Sequence, residues 1–162
     1  MIIHVKNKNT LIIDDFKFRC CVGKNGIRFN KKESDFSTPK GLFKLKILYF
    51  RKDRVGIPVT KIKKKIITKN LGWCDDPNHK KYNKEIKINR RNNKENFYRK
   101  DIKYDYLITI NHNDKKIPYM GSAIFIHLTD NYKPTAGCIA LKKKDFEVLL
   151  NLVDEKTKIK IG

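Results

Sequence analysis

Negative charge is scarce in this sequence: 17 acidic residues stand against 38 Lys and Arg, a formal net charge of +21. Such an excess directs attention to anionic partners, whether nucleic acid, an acidic polymer or a membrane surface. Arginine is scarce as well. The positive charge is mostly Lys, and Lys, Asn and Ile are abundant together, the pattern that codon bias in an AT-rich coding sequence produces. Lys lacks the planar fork with which Arg reads phosphate. No aromatic interleaving or nucleic-acid motif accompanies the runs at 63–65 and 142–144. These runs read as solvated faces, and no nucleic-acid partner is expected.

Long hydrophobic runs are missing. No window is apolar enough for a transmembrane segment, and residues 1–15 lack the continuous apolar core of a secretory leader. C-x-x-C spacing is missing too. The four cysteines are Cys20, Cys21, Cys74 and Cys138, so a zinc site is not expected, and the sequence offers no clear site for another metal or an organic cofactor. Adjacent Cys20 and Cys21 point to opposite faces if they lie on a strand and should not pair with each other; Cys74 reads as packing. Neither an internal repeat nor a linker divides the 162 residues, which reads as one domain over 1–162.

What the sequence does contain is strand signal. Residues 42–50 alternate, with Phe43, Leu45, Ile47 and Tyr49 on one face and Lys44 and Lys46 on the other, the period of a half-buried strand. Apolar runs at 10–13, 16–22 and 27–29 flank Gly23-Lys24-Asn25-Gly26, and Asn-Gly between such runs predicts a hairpin. Further strands are expected at 61–68, 85–88, 104–110, 123–128 and 158–161. Segments 31–41 and 73–83 read as loops, rich in Pro, Gly, Asp and Asn, and 89–100 as a polar surface excursion. One helix is expected, 143–153, where Phe146, Leu149, Leu150 and Val153 recur at spacings of three and four. Short strands with one late helix argue a mostly β, two-sheet sandwich or barrel-like domain.

The chemistry gathers at 121–141. His127 ends an apolar strand, and Cys138 follows eleven residues later, preceded by Gly137. A thiol with a pKa near 8.5 needs help to ionise at neutral pH. An imidazole facing it across neighbouring strands can take its proton. Gly137 permits the close backbone approach that aims amide N–H groups at a developing oxyanion. The same residues also suit an inert core Cys and a satisfied core His, in which case the basic surface would make the chain a non-catalytic module that binds anionic cell-wall polymer or nucleic acid.

The segment resembles the catalytic stretch of the L,D-transpeptidase (YkuD-like) family, a His, a variable loop, then Ser or Thr, one residue, Gly and Cys. Here those positions are His127, Thr135, Ala136, Gly137 and Cys138. Other matches run in order. Gly23–Gly26 resembles the family's early hairpin, and Lys32-Glu33-Ser34-Asp35 with Thr38-Pro39-Lys40-Gly41 its EGD…TPxG loop. Gly72-Trp73-Cys74-Asp75-Asp76-Pro77 with Tyr82-Asn83 resembles its GWCDDP…YN loop, and Gly121-Ser122-Ala123-Ile124-Phe125 the strand leading to its histidine. Two departures stand out: many members have His where Ala136 stands and Arg where Ala140 stands.

The resemblance implies a two-sheet β fold with a short helix after the catalytic cysteine, and a peptidoglycan stem peptide as partner. It implies Cys138 as nucleophile, His127 as base and Gly137 in the oxyanion turn. Thr135, Trp73, Asp76, Tyr82 and Asn83 are expected to border the substrate. The acceptor would be an amine, giving a cross-link, or water, making the enzyme an L,D-carboxypeptidase. Such enzymes act in the periplasm or cell envelope. His112 reads as a turn residue rather than a third catalytic member.

Overall fold

The computed structural model describes residues 1–89 and 95–162. The strands are β1 (Ile2–Lys6), β2 (Thr10–Ile13), β3 (Phe16–Arg19), β4 (Ile27–Arg28), β5 (Thr38–Pro39), β6 (Gly41–Phe50), β7 (Lys64–Ile66), β8 (Leu71–Trp73), β9 (Glu85–Lys87), β10 (Glu95–Asn96), β11 (Tyr106–Ile110), β12 (Phe125–Leu128), β13 (Ile139–Leu141) and β14 (Lys158–Ile161). Two helices join them, the single turn α1 (Lys52–Val55) and α2 (Lys143–Leu152).

The main sheet has nine strands in the order β13-β12-β11-β6-β14-β1-β2-β3, with β7 also on β6. Its two ends meet. Just past β3, Cys21 bridges Ala140 in β13, and Gly23 bridges Thr135, so the sheet curls into a nearly closed barrel. The remaining strands form a three-stranded sheet, β10-β8-β9, and a two-stranded sheet, β4-β5. The long strand β6 allows the curl: its first half pairs β14 and its second half pairs β11 and β7.

Residues with inward parity fill the barrel. Ile3, Val5, Leu48, Ile108, Ile126 and Ile159 are all buried in one cluster, each contributing roughly 1.5–3 kcal/mol of burial. Helix α2 adds Phe146, Leu149 and Leu150 to it, and the Phe146 ring stacks on Tyr106 at 5.5 Å. The expected helix therefore forms with the expected apolar face.

Strand β11 is buried at all five positions, because a second layer covers its outer face. Parity along β6, β11 and β12 sends Tyr49, Leu107 and Phe125 away from the barrel, into a cluster with Phe97, Tyr104 and Cys138. That aromatic layer, not the barrel interior, carries the candidate site.

Several boundaries differ from the sequence reading. The Asn-Gly turn forms, closed by Gly26 N–H to Gly23 O at 2.8 Å, but its flanks do not pair as a hairpin. Residues 21 and 23 bridge the 135–140 segment, and β4 pairs β5 in parallel. Here Gly23 serves close approach: a Cβ there would lie 2.5 Å from Phe36 O. The segment 61–68 shortens to β7, with Ile62 and Ile67 buried outside it, and 31–41 contains β5. Strand β1 was not expected. Its polar residues alternate with buried Ile3 and Val5 and pair with β14 and β2. Of the polar excursion 89–100, residues 90–94 lie outside the described residues; the rest includes β10 and the fully buried Phe97.

Candidate active site

His127 sits on β12 opposite Leu107 of β11 and Ala140 of β13. Register therefore fixes it on the outer face, beside Phe125. Tyr104 meets its ring edge-on at 5.3 Å. The His127 Nδ1 lies 2.8 Å from Leu128 O; a carbonyl only accepts, so Nδ1 carries the proton and Nε2 keeps its lone pair. Burial pushes the imidazole pKa down to about 4, and the Lys103 and Arg99 charges add to the fall against the Leu128 hydrogen bond. At neutral pH His127 is an uncharged ring with Nε2 available.

Cys138 ends the turn that enters β13. Thr135 Oγ1 donates to Cys138 O at 2.6 Å and accepts the Gly137 amide at 3.1 Å, so one hydroxyl ties the turn together. Gly137 has φ +150, and a Cβ there would lie 2.8 Å from Ser37 O. The position needs glycine for conformation and for space. The Cys138 thiol donates to Ala123 O at 3.2 Å and accepts the Phe125 amide at 3.3 Å. Burial raises its pKa to about 12; the Phe125 amide and Lys31 oppose the rise, and Glu95 adds to it. The resting pair is thus neutral thiol and neutral imidazole, with the thiol hydrogen bonded to backbone instead of to His127.

Both groups line one cleft of about 560 Å³. Thr135, Ala136 and Gly137 line it together with Asn131, Lys133 and Pro134 from the His127–Cys138 loop. Arg99, Lys103 and Tyr104 line it too, as do Glu33, Ser34, Phe36, Asp75 and Glu95. Lys31, which lines the cleft beside Gly137, forms a part-buried ion pair. Lys31, 4% exposed, places Nζ 2.5 Å from Asp35 Oδ1. Asp35 also accepts from the Ser37 amide and hydroxyl at 2.9 and 2.7 Å, and Ser37 O packs against Gly137. Despite its partial burial, these donors hold the Asp35 carboxyl below its usual range.

The model of the YkuD L,D-transpeptidase catalytic domain matches residues 2–161. The chain belongs to this family. No curated protein matches it. Among solved structures it is similar to Bd1075 of Bdellovibrio bacteriovorus, with a TM-score of 0.52 and 13% identity over 99% of this chain. That likeness concerns the fold, and the chain spans 47% of the length of that protein.

Against this YkuD framework, the loop residues singled out from the sequence divide sharply. Thr135 lines the cleft, whereas Trp73, Asp76, Tyr82 and Asn83 are not among its lining residues. They bind protein groups. Trp73 Nε1 donates to Asn83 Oδ1 at 2.9 Å, and its ring stacks with Phe97 at 6.2 Å. The Tyr82 hydroxyl donates to Glu33, which also accepts the Ser122 hydroxyl at 2.9 Å. Asp76 caps its own turn through the Asn78 amide at 2.9 Å. The EGD-like and GWCDDP…YN-like segments are therefore joined, through Glu33 and Tyr82, to Ser122 in the irregular segment 121–124; the strand expected over 123–128 begins only at Phe125.

His112 stands apart from the pair. Its Nε2 is 3.1 Å from Met120 O and its ring meets Phe43, so Leu128 O, not His112, orients His127. Tyr104, Glu95, Lys103 and Arg99 were not singled out from the sequence. Their only signal was proximity to a polar excursion, and nothing in the spacing pointed at the cleft. All four cysteines are free and buried.

Proposed function

We propose that this chain is a peptidoglycan L,D-transpeptidase of the cell envelope in which Cys138 is the nucleophile. In this reading Cys138 Sγ attacks the carbonyl between the L-centre of diaminopimelate and the terminal D-Ala of a tetrapeptide stem. The S–H proton passes to His127 Nε2, the C–N bond breaks, and the proton goes on to the leaving amine of D-Ala. The resulting thioester is resolved by an amine of a neighbouring stem. That amine loses a proton through His127, and the thiol is regenerated.

The observation that carries the reading is that Cys138 and a neutral His127, its Nε2 uncommitted, open into the same cleft. Acylation requires the thiol to leave Ala123 O and turn its proton toward Nε2. The oxyanion would fall to backbone amides at the tight Gly137–Cys138 turn. Thr135 Oγ1 already holds the Gly137 amide, which favours the Cys138 amide as the donor. Removing one such donor typically costs about a hundredfold or more in rate. Trp73, Tyr82 and Asn83 act in this scheme as positioning residues for the segment 121–124 that leads into β12, and Asp76 as a turn former.

Incubation of purified muropeptide tetrapeptides with wild type and with Cys138→Ala tests the proposal. Cross-linked dimers from wild type alone support transpeptidation, and tripeptides from wild type alone indicate the carboxypeptidase variant of the same chemistry. Equal products from both proteins, or none from either with both folded, would remove Cys138 from its role.

A further inference from the structure

The charges in the cleft are unevenly committed. Among its cations, Lys31 is paired with Asp35 at 2.5 Å, and Arg99 with Asp101 at 2.6 Å and Glu95 at 3.8 Å. Lys103 and Lys133 also line the cleft. No ion pair engages either of them among the described residues.

Their backbones are nevertheless pinned. Lys103 O accepts the Leu128 amide at 2.9 Å, directly after His127, and the Lys103 amide donates to Asp101 Oδ1 at 3.1 Å. Lys133 O accepts the Cys21 thiol at 3.3 Å, and the Lys133 amide donates to Asn131 Oδ1 at 3.0 Å. Two fixed stems thus carry two ammonium heads without an ion pair among the described residues, one in the turn before β11 and one on the loop from His127 to Cys138. The cleft also holds Glu33 and Asp75, and Asp75 has its pKa raised by burial and by Glu95, Glu33 and Asp76. An anion entering the cleft is repelled by these carboxylates and attracted by the unpaired lysines.

We propose that Lys103 and Lys133 form a carboxylate-binding subsite at the His127 end of the cleft, which takes the terminal carboxylate of the leaving residue of a donor peptide. The proposal rests on the reading of Cys138 and His127 given above. It also agrees with the chemistry of that reading. The amine that leaves must receive its proton from His127 Nε2, so the residue that leaves must lie on the His127 side. Its carboxylate, one carbon from that amine, then falls among the cations flanking His127. Peptides ending in a carboxamide lack the charge and lose the contact.

Affinity measured on the Cys138→Ala protein tests the subsite without turnover. The probes are the tetrapeptide stem ending in D-Ala with its free carboxylate and the same peptide with a terminal carboxamide. The carboxylate form is expected to bind about tenfold more tightly, the scale of a charge-assisted contact, with the preference shrinking as salt is raised. Adding Lys103→Gln and Lys133→Gln should bring the two affinities together. Lys142→Gln, outside the cleft, should leave the preference in place and so exclude a general effect of charge. Equal binding in the parent, no binding of either peptide, or a preference that survives loss of both lysines overturns the subsite. A retained preference with no turnover by wild type supports the subsite and counts against the proposed reaction.

Discussion

The Asn83 side-chain oxygen accepts the amide of Ala123 at 3.2 Å, and Ala123 in turn offers its carbonyl to the Cys138 thiol. Ala123 has φ +52, a left-handed conformation that costs a non-glycine residue roughly 1–2 kcal/mol. Such strain persists only where the surroundings over-determine it. Asn83 supplies that constraint. Its oxygen also holds Trp73 Nε1, and its amide donates to His112 O and Asn113 O, both at 3.1 Å. The acceptor that holds the resting thiol is thereby set by a side chain outside the cleft.

Asn83→Ala should lower stability by about 1–3 kcal/mol, because it leaves a half-buried indole N–H and the amide of a strained residue without an acceptor and places Ala at Asn83's own φ of +54. Asn83→Asp keeps the oxygen acceptor and should lose less. Urea denaturation gives the stabilities, and turnover should fall in kcat more than in KM. A rise in KM with unchanged stability would mean that Asn83 meets substrate directly.

Gly137→Ala should be more damaging than its size suggests. The φ of +150 disfavours any side chain, and the new Cβ would meet backbone, Ser37 O, which cannot swing aside. A loss of about 1–3 kcal/mol is expected. Because Gly137 adjoins Cys138, turnover should fall at least about a hundredfold. Ser37 is fixed by Asp35, so Asp35→Asn should slow turnover as well, without touching the glycine. Normal rates in both variants would show that this turn does not set the geometry of acylation.

The barrel was legible where burial is one-sided. Period located residues 42–50 and α2, but the four residues expected on one face of β6 divide: Phe43 and Leu45 pack with the barrel, whereas Ile47 and Tyr49 pack with the aromatic layer, because β6 has an extra residue between Leu45 and Leu48 opposite Ile108 and Ile110. Strand β1 was obscured because His4 and Lys6 interrupt it, although Ile3 and Val5 keep the period of two. The hairpin expectation failed at Gly23–Gly26 because local turn chemistry says nothing about which distant segment takes the flanking backbone groups. At the site, His127 and Cys138 were legible through the order Thr135-x-Gly137-Cys138. Lys31 was hidden in a polar loop, since its burial depends on Asp35, a contact that composition does not reveal. Lys103 and Tyr104 reach the cleft only through the pairing of β11 with β12.

The thiol itself should be unreactive at rest. With the Cys138 pKa near 12 and the imidazole near 4, no thiolate–imidazolium pair forms at pH 7 in the free protein. Alkylation of Cys138, followed by intact mass and peptide mapping, should be slow at pH 7. It should rise about tenfold per pH unit through pH 10, since only the thiolate reacts. A plateau already reached near pH 6–7 would reveal a preformed ion pair and contradict the resting arrangement, with its thiol on Ala123 O.

His127 also predicts how stability responds to acid. Its folded pKa, about 4, lies below its ordinary 6.5 because burial disfavours the charged ring. Folding therefore favours the neutral form, and the contribution is fully present above pH 6.5. It is lost as pH falls from 6.5 toward 4, where the unfolded chain takes up a proton that the folded chain refuses. The full shift corresponds to about 3 kcal/mol. Many carboxylates titrate near the lower end of this window, so the diagnostic quantity is the difference between wild type and His127→Gln. Wild type should lose about 3 kcal/mol more than the variant between pH 7 and pH 4 in chemical denaturation. Parallel losses in the two proteins would mean that His127 keeps its ordinary pKa in the folded state, and the burial that holds the ring neutral in mild acid would then not operate.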